Sequence, residues 1–503
     1  MTVGGWTMAS RILGFVRDIM IGAFLGSSAV AEAFLIAFSL PNMFRRFFAE
    51  GTLNVAFVPM FAKKHEAGDG ALEFARDAFA GLAFVLVIFS IIAQIFMPAL
   101  VYAMASGFTE DSRFDLAVTY GRIAFPYILF ISLAALLSGV LNATGRFMAA
   151  AAAPVLLNVI FIAAMLIADL MGGDIGLAMT WTVPIAGIAQ VVLVWLAASR
   201  AGYRLIPRIP RMTPELKRLA IIAAPAALAG GVTQINLLVG RQVASFFEGA
   251  VAWLYYADRL YQLPLGVVGI AIGIVLLPEL SRNLRAGDTI ASRDALSRAG
   301  EMSLALTIPA AVALMVIPIP LIEVLFQRGA FTLDDTKWTA LATAIYGAGL
   351  PAFVLQKVLS SVYFARENTR APFHFALVGM VVNAAIAIGL SYHLGFIAAA
   401  IGTTLAGWTI TTLTWIGAVR MGEETRFDAR FWSRLWRIVA ASAIMGAALV
   451  AATFIMAPLF AIAGLKIAAL AVLVFGGIVV YGLTGQLLGA FHMAEIKAAF
   501  RRG

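Results

Sequence analysis

Residues 371–419 read APFHFALVGMVVNAAIAIGLSYHLGFIAAAIGTTLAGWTITTLTWIGAV, a run without a single Asp, Glu, Lys or Arg. A helix that crosses a bilayer needs about 20 predominantly apolar residues, so this run is too long for one span and suits two. Ser391-Tyr392-His393-Leu394-Gly395 divides it. Working outward, further charge-free windows lie at 79–109, 123–145, 147–168, 175–199, 219–240, 260–278, 302–322, 338–356, 438–465 and 467–494. The window 338–356 is interrupted by Gly347, Gly349 and Pro351. Two more stretches, near 3–25 and 31–60, are apolar but carry charge, which brings the expected number of spans to fourteen.

Composition agrees with this reading. Hydrophobic residues make up 62% of the 503 and charged residues only 13%, with a mean hydropathy of +0.94. Soluble domains are about 25% charged, so too little polar surface exists to cover a soluble core of this size. The bilayer is the solvent that suits the chain. There are no cysteines, which excludes disulfides, thiolate nucleophiles and Cys-based metal sites. His65, His374, His393 and His492 are far apart and form no metal-ligand spacing. The N-terminal apolar stretch contains Arg11, Arg17 and Asp18 and lacks a cleavage motif, so it does not read as a signal peptide.

The net charge of +9 is scattered between apolar segments, which argues against nucleic acid and for the positive-inside rule and anionic headgroups. One alternating set of loops holds Lys63, Lys64, Arg76, Arg146, the run Arg200 to Arg218, Arg282 to Arg298, Arg366, Arg370 and Arg420 to Arg437. The tail adds Lys497, Arg501 and Arg502. The opposite set has Arg113, Arg328, Lys337 and Lys466 beside Glu110, Asp111, Asp115, Asp169, Asp174, Asp334 and Asp335. Both termini are therefore expected in the cytoplasm.

A shift of 225 residues sets Pro126 on Pro351, Thr144 on Thr369 and Asn158 on Asn383. The shift equals six spans, and an even shift preserves orientation. We expect two parallel six-helix lobes, residues 1–200 and 215–420, with two added helices over 430–494. Transporters built from such repeats bind substrate between the halves and rock them.

Charge inside the spans is the remaining oddity. Insertion scales set about 2.5–3.5 kcal/mol against each central Arg or Asp, and about 0.3–0.6 kcal/mol is returned per Leu, Ile, Phe or Val. Arg11, Arg17 and Asp18 together cost about 7–10 kcal/mol if central, so the first span must face a polar interior. Arg11 and Asp18, seven residues apart, share a helical face; a structural Arg–Asp pair is the alternative reading. Asn42, Arg45, Arg46 and Glu50 follow Pro41, where a helix tends to kink, and Arg46 can pair with Glu50 at i, i+4. Asp258-Arg259 precedes Pro264 in the second half. Lys357 suits either the same site or an interface. Arginine forks match phosphate and carboxylate, so several of them with fewer acids imply a multiply anionic ligand. No nucleotide-binding, zinc-protease or nucleophile-elbow motif is present, which favours a transporter over an enzyme, with no cofactor and no metal.

The segments Ser10-Arg11-Ile12-Leu13-Gly14-Phe15-Val16-Arg17-Asp18 and Leu40-Pro41-Asn42-Met43-Phe44-Arg45-Arg46-Phe47-Phe48-Ala49-Glu50-Gly51 closely resemble the MurJ (MviN) lipid II flippases. So does Tyr255-Tyr256-Ala257-Asp258-Arg259-Leu260 with Leu263-Pro264 and Leu276-Leu277-Pro278. The resemblance implies the multidrug/oligosaccharidyl-lipid/polysaccharide exporter fold, an all-α polytopic protein whose last two helices form a lipid-tail groove. It implies translocation of lipid II from the cytoplasmic to the periplasmic leaflet of the bacterial inner membrane, for peptidoglycan synthesis. Its substrate-binding arginines carry over to Arg11, Arg17, Arg45 and Arg259 with Asp18; Asn42, Arg46 and Asp258 adjoin them. Lipid II, membrane lipids and other cell-wall synthesis proteins are the partners it implies. Some members of the superfamily bind sodium in the second lobe. Here Asn383 and Thr403 or Thr404 match ligands, but the acidic positions fall on Gly240 and Ala387, so the membrane potential is the expected drive. The rivals are a flippase of another polyprenyl-linked glycan, a membrane enzyme acting on lipid-linked sugars, and a cation-coupled drug exporter.

Overall fold

The computed structural model describes residues 3–46, 56–206, 208–271, 276–462 and 464–491. Glu50, the middle of the expected span 31–60, part of the window 260–278 and the basic tail lie outside them. Within the described residues the chain is helical and contains no strand.

Packing divides the chain into two compact units. The first, Met1–Ala252 with Arg328–Phe331, holds α1 (Val3–Leu25), α2 (Ala29–Arg45), α3 (Val58–Ala67), α4 (Ala71–Ile95), α5 (Met97–Met104), α6 (Arg113–Ala124), α7 (Tyr127–Ala143), α8 (Met148–Leu170), α9 (Ile175–Arg200) and α10 (Pro214–Ala244). The second, Trp253–Gln327 with Thr332–Gly503, holds most of α11 (Ala250–Ala271), then α12 (Leu277–Arg285), α13 (Thr289–Val316), α14 (Pro318–Leu325) and α15 (Leu333–Ala365). It continues with α16 (Arg370–Leu394), α17 (Ile397–Val419), α18 (Ala429–Phe460) and α19 (Lys466–Leu487). Helix α10, grouped with the second lobe by the repeat, packs on α4 and α5 of the first unit.

Among the described residues ten helices are long and apolar enough to cross a membrane, against the fourteen spans expected for the whole chain. The described parts of the other four expected spans hold α1, α2, α10 and α11. They are not among the ten: α1 holds three charged residues and α2 is only 17 residues long. Outward-facing side chains such as Phe454, Ile455 and Leu487 are almost fully exposed, an apolar exterior suited to lipid and not to water. The chain is a multi-pass membrane protein.

Helix ends follow local chemistry. Asp174, Asp288 and Asp428 each accept a hydrogen bond from the first turn of the helix they start, and Thr332 with Asp335 forms a capping box on α15. The expected break in 371–419 falls at Gly395, at positive φ, between α16 and α17.

Helix α15 runs through Gly347, Gly349 and Pro351 without a break. Proline removes a backbone donor, and in lipid the freed groups need other partners. The carbonyl that Pro351 frees is that of Gly347; helix α17 donates instead to carbonyls around it, Thr404 Oγ1 to Ile345 O at 3.0 Å, Trp408 Nε1 to Ala348 O at 3.0 Å and Thr411 Oγ1 to Ala352 O at 2.8 Å. Small residues bring the helices this close; a Cβ on Gly407 would sit 2.5 Å from the Phe353 ring.

The pairings α4–α7, α7–α9 and α8–α9 of the first unit have counterparts in α13–α15, α15–α17 and α16–α17 of the second. Asn158 and Asn383, equivalent under the 225-residue shift, both lie buried on their helices, α8 and α16.

Candidate functional site

In the first unit, α1 turns Arg17 and Asp18 inward, 8% and 2% exposed. Arg17 donates from Nε at 3.0 Å and Nη2 at 2.8 Å to Asp18 Oδ1, so Asp18 pairs with its neighbour across 100° of helix rather than with Arg11. Arg17 Nη1 donates to Asn158 Oδ1 of α8 at 3.0 Å. The rings of Phe38 (α2) and Phe161 (α8) lie 5.8 and 5.6 Å from the guanidinium carbon. A buried charge needs both a counter-ion and hydrogen bonds; this one has both, plus two aromatic rings.

Arg45, at the last turn of α2, is half-buried, and Tyr127 lies within electrostatic reach of both Arg45 and Arg17. The Tyr127 hydroxyl donates to Gln190 Oε1 of α9 at 3.2 Å, and Gln190 Nε2 donates to Ala153 O of α8 at 2.9 Å. These bonds fix the wall beside the two arginines. Asn42 donates to Phe38 O of its own helix at 2.8 Å. Arg46 is exposed and reaches Gln234 Oε1 at 3.4 Å; the expected partner Glu50 is outside the described residues.

Arg11 stands apart from this cluster. It is exposed and lines a cavity of about 470 Å³ with Thr7, Ser10, Asn142, Phe147 and Pro154. It forms no ion pair among the described residues. The structure thus separates the α1 arginines into one compensated and buried, and one uncompensated at a cavity.

In the second unit, Arg259 lies over the Tyr255 ring at 4.5 Å, and Gln262 bonds Asp258 one turn along α11. Tyr261 packs on Tyr346 and Phe353 of α15. At the positions matched to sodium ligands, Thr403 bonds its own helix and Thr404 bonds Ile345 O. Among the described residues no group of three or more metal-ligating side chains gathers.

The partners Asn158, Phe161, Tyr127 and Gln190 were not singled out as site residues by the sequence. Asn158 stood only as a repeat match. Its signal was available: a lone amide in the charge-free window 147–168, which lipid does not tolerate without a partner.

The chain matches a family described as Lipid II flippase MurJ over residues 21–500. A Rhizobium meliloti relative described as a probable lipid II flippase MurJ is 44% identical, covering 100% of this chain and 96% of the relative. A Rhizobium tropici relative of the same description is 40% identical with the same coverage. Among solved structures, a lipid II flippase MurJ in an inward closed conformation superposes with a TM-score of 0.80 at 24% identity, covering 96% of this chain and 98% of that one. An inward-facing multidrug transporter of the MATE family superposes with a TM-score of 0.68 at 16% identity, covering 81% and 93%. With a family match across nearly its whole length and relatives of 40% identity or more spanning all of it, the chain belongs to the lipid II flippase MurJ family.

Proposed function

We propose that this protein carries lipid II from the cytoplasmic to the periplasmic leaflet of the bacterial inner membrane by alternating access, as a transporter and not a catalyst. Both termini are cytoplasmic in this reading, which rests on the loop charges. Arg11, Arg17, Arg45 and Arg259 are the proposed ligands of the pyrophosphate, with Asp18, Asn42, Arg46 and Asp258 beside them. The lobes over 1–200 and 215–420 alternate, and the helices over 430–494 hold the lipid tail in the bilayer. The membrane potential drives the cycle, and other cell-wall synthesis proteins act alongside it.

The observation that carries this reading is the Arg17 guanidinium, buried among membrane helices of a flippase-family chain yet fixed by Asp18 and Asn158. A side chain this costly to bury and this well oriented suits planar recognition of a phosphate. Growth complementation of a strain depleted of its own flippase tests the roles. Arg17→Ala and Arg259→Ala should each abolish growth while immunoblots of washed membranes show the protein inserted. Normal growth of both variants would remove these residues from the mechanism.

A further inference from the structure

Asn158 occupies the middle of α8, 4% exposed, and both ends of its amide are committed to α1. Its Oδ1 accepts from Arg17 Nη1 at 3.0 Å, and its Nδ2 donates to the carbonyl of Ser10 at 3.0 Å. The two contacts lie seven residues apart on α1, two helical turns, so they fall on one face. Between them is Gly14, and a Cβ built there would stand 3.5 Å from Nδ2. The amide therefore lies in direct contact with this face of α1.

The Ser10 carbonyl is the helix acceptor one turn before Gly14, and it belongs to the residue preceding Arg11. One side chain therefore grips the backbone beside the cavity-lining arginine and orients the buried one. Nothing in packing alone requires this. An apolar residue of the same size would fill the gap between α1 and α8 in lipid at no desolvation cost. The amide is also neutral: it holds an acceptor to Arg17 without cancelling its charge, which Asp18 already offsets in part.

We propose that Asn158 is a positioning residue for anion binding: it sets the orientation of Arg17 and the placement of the Arg11 turn toward the pyrophosphate of the lipid substrate. The inference rests on the functional reading above. Asn158 touches no substrate atom in this account. It acts through the two arginines.

The test uses the full-length purified protein with two lipid probes, undecaprenyl pyrophosphate and undecaprenol, titrated by native mass spectrometry. Asn158→Ala should weaken retention of undecaprenyl pyrophosphate at least tenfold and leave undecaprenol retention unchanged. Asn158→Asp, which keeps the shape but adds a negative charge beside Arg17, should weaken pyrophosphate retention as well and spare the alcohol. A merely structural residue would lower retention of both lipids together, and that pattern overturns the proposal. Pyrophosphate retention equal to the parent in Asn158→Ala overturns it too, while the functional reading stands. A parent protein that retains no polyprenyl pyrophosphate removes the functional reading and the inference with it.

Discussion

Arg113 Nη1 donates to Glu32 Oε2 at 2.8 Å with both side chains almost entirely out of solvent, 5% and 0% exposed. Arg113 also bonds Asp111, and Glu32 Oε1 accepts the backbone N–H of Val251 at 2.9 Å. The Arg113 guanidinium lies over the Phe108 ring at 4.4 Å. Nearby, Gly107 N donates to Ser245 Oγ at 3.0 Å, and Ser106 exchanges bonds with Gln242. The start of α2, the loop before α6 and the turn after α10 are thus tied at one end of the first unit, the periplasmic end in the orientation proposed above.

Removing one partner of a buried pair strands the other and costs about 3–5 kcal/mol, whereas removing both costs less. Arg113→Ala and Glu32→Ala should each loosen this end, and the double variant should recover part of the loss. Because the chain has no cysteine, Ser245→Cys is a clean reporter: Ser245 is fully buried. A membrane-impermeant maleimide should label it in Arg113→Ala and not in the parent. Equal labelling in the two backgrounds would show that the pair does not hold the loop down.

Asp18 competes with any anion for Arg17, since it already takes Nε and Nη2. Asp18→Asn should strengthen retention of undecaprenyl pyrophosphate, by about tenfold if one nearby charge is worth about 1.4 kcal/mol. The same variant should slow turnover, because the carboxylate no longer displaces the phosphate. Native mass spectrometry reads the first effect and a growth assay the second. Unchanged retention would mean that Asp18 does not compete.

Gly26 and Gly329 each press on the backbone of the other's segment, Gly26 on Ala330 and Gly329 on Ala23. Both have positive φ, and a Cβ would lie 2.4 Å from Ala330 O for Gly26 and 2.2 Å from Ala23 O for Gly329. The contact is closed by Ala330 N donating to Ala23 O at 2.8 Å. Gly329→Ala or Gly26→Ala should therefore lose the contact as well as strain the turn. Gly145, also at positive φ but with nothing within 4 Å of its Cβ position, isolates the conformational part. Its change to Ala should cost about 1 kcal/mol, visibly less in thermal midpoint than either of the others. Equal shifts for all three would deny the close contact any weight.

Much of this molecule was legible because lipid imposes simple rules. Charge-free windows fall on helices among the described residues, and the expected break within 371–419 falls at Gly395. The inward placement of Arg17 and Asp18 followed from the cost of charge in the bilayer. What the sequence did not reveal was pairing. Asp18 shares a face with Arg11 but bonds Arg17, because a long guanidinium can fold back on its neighbour. Asn158, 141 positions from Arg17, is joined to it only by the packing of α8 on α1, which no local pattern encodes. Pro351 reads as an interruption, yet α15 continues through it, with α17 bonded to the neighbouring carbonyls of Ala348 and Ala352.

In the proposed cycle the bound anion is a lipid pyrophosphate carrying the peptidoglycan precursor. Native mass spectrometry of the protein purified from its membranes in mild detergent tests this directly. The expected bound mass is that of undecaprenyl-pyrophosphate-linked disaccharide-pentapeptide, diminished in Arg17→Ala. A protein that carries drug-like cations and never this lipid would contradict it.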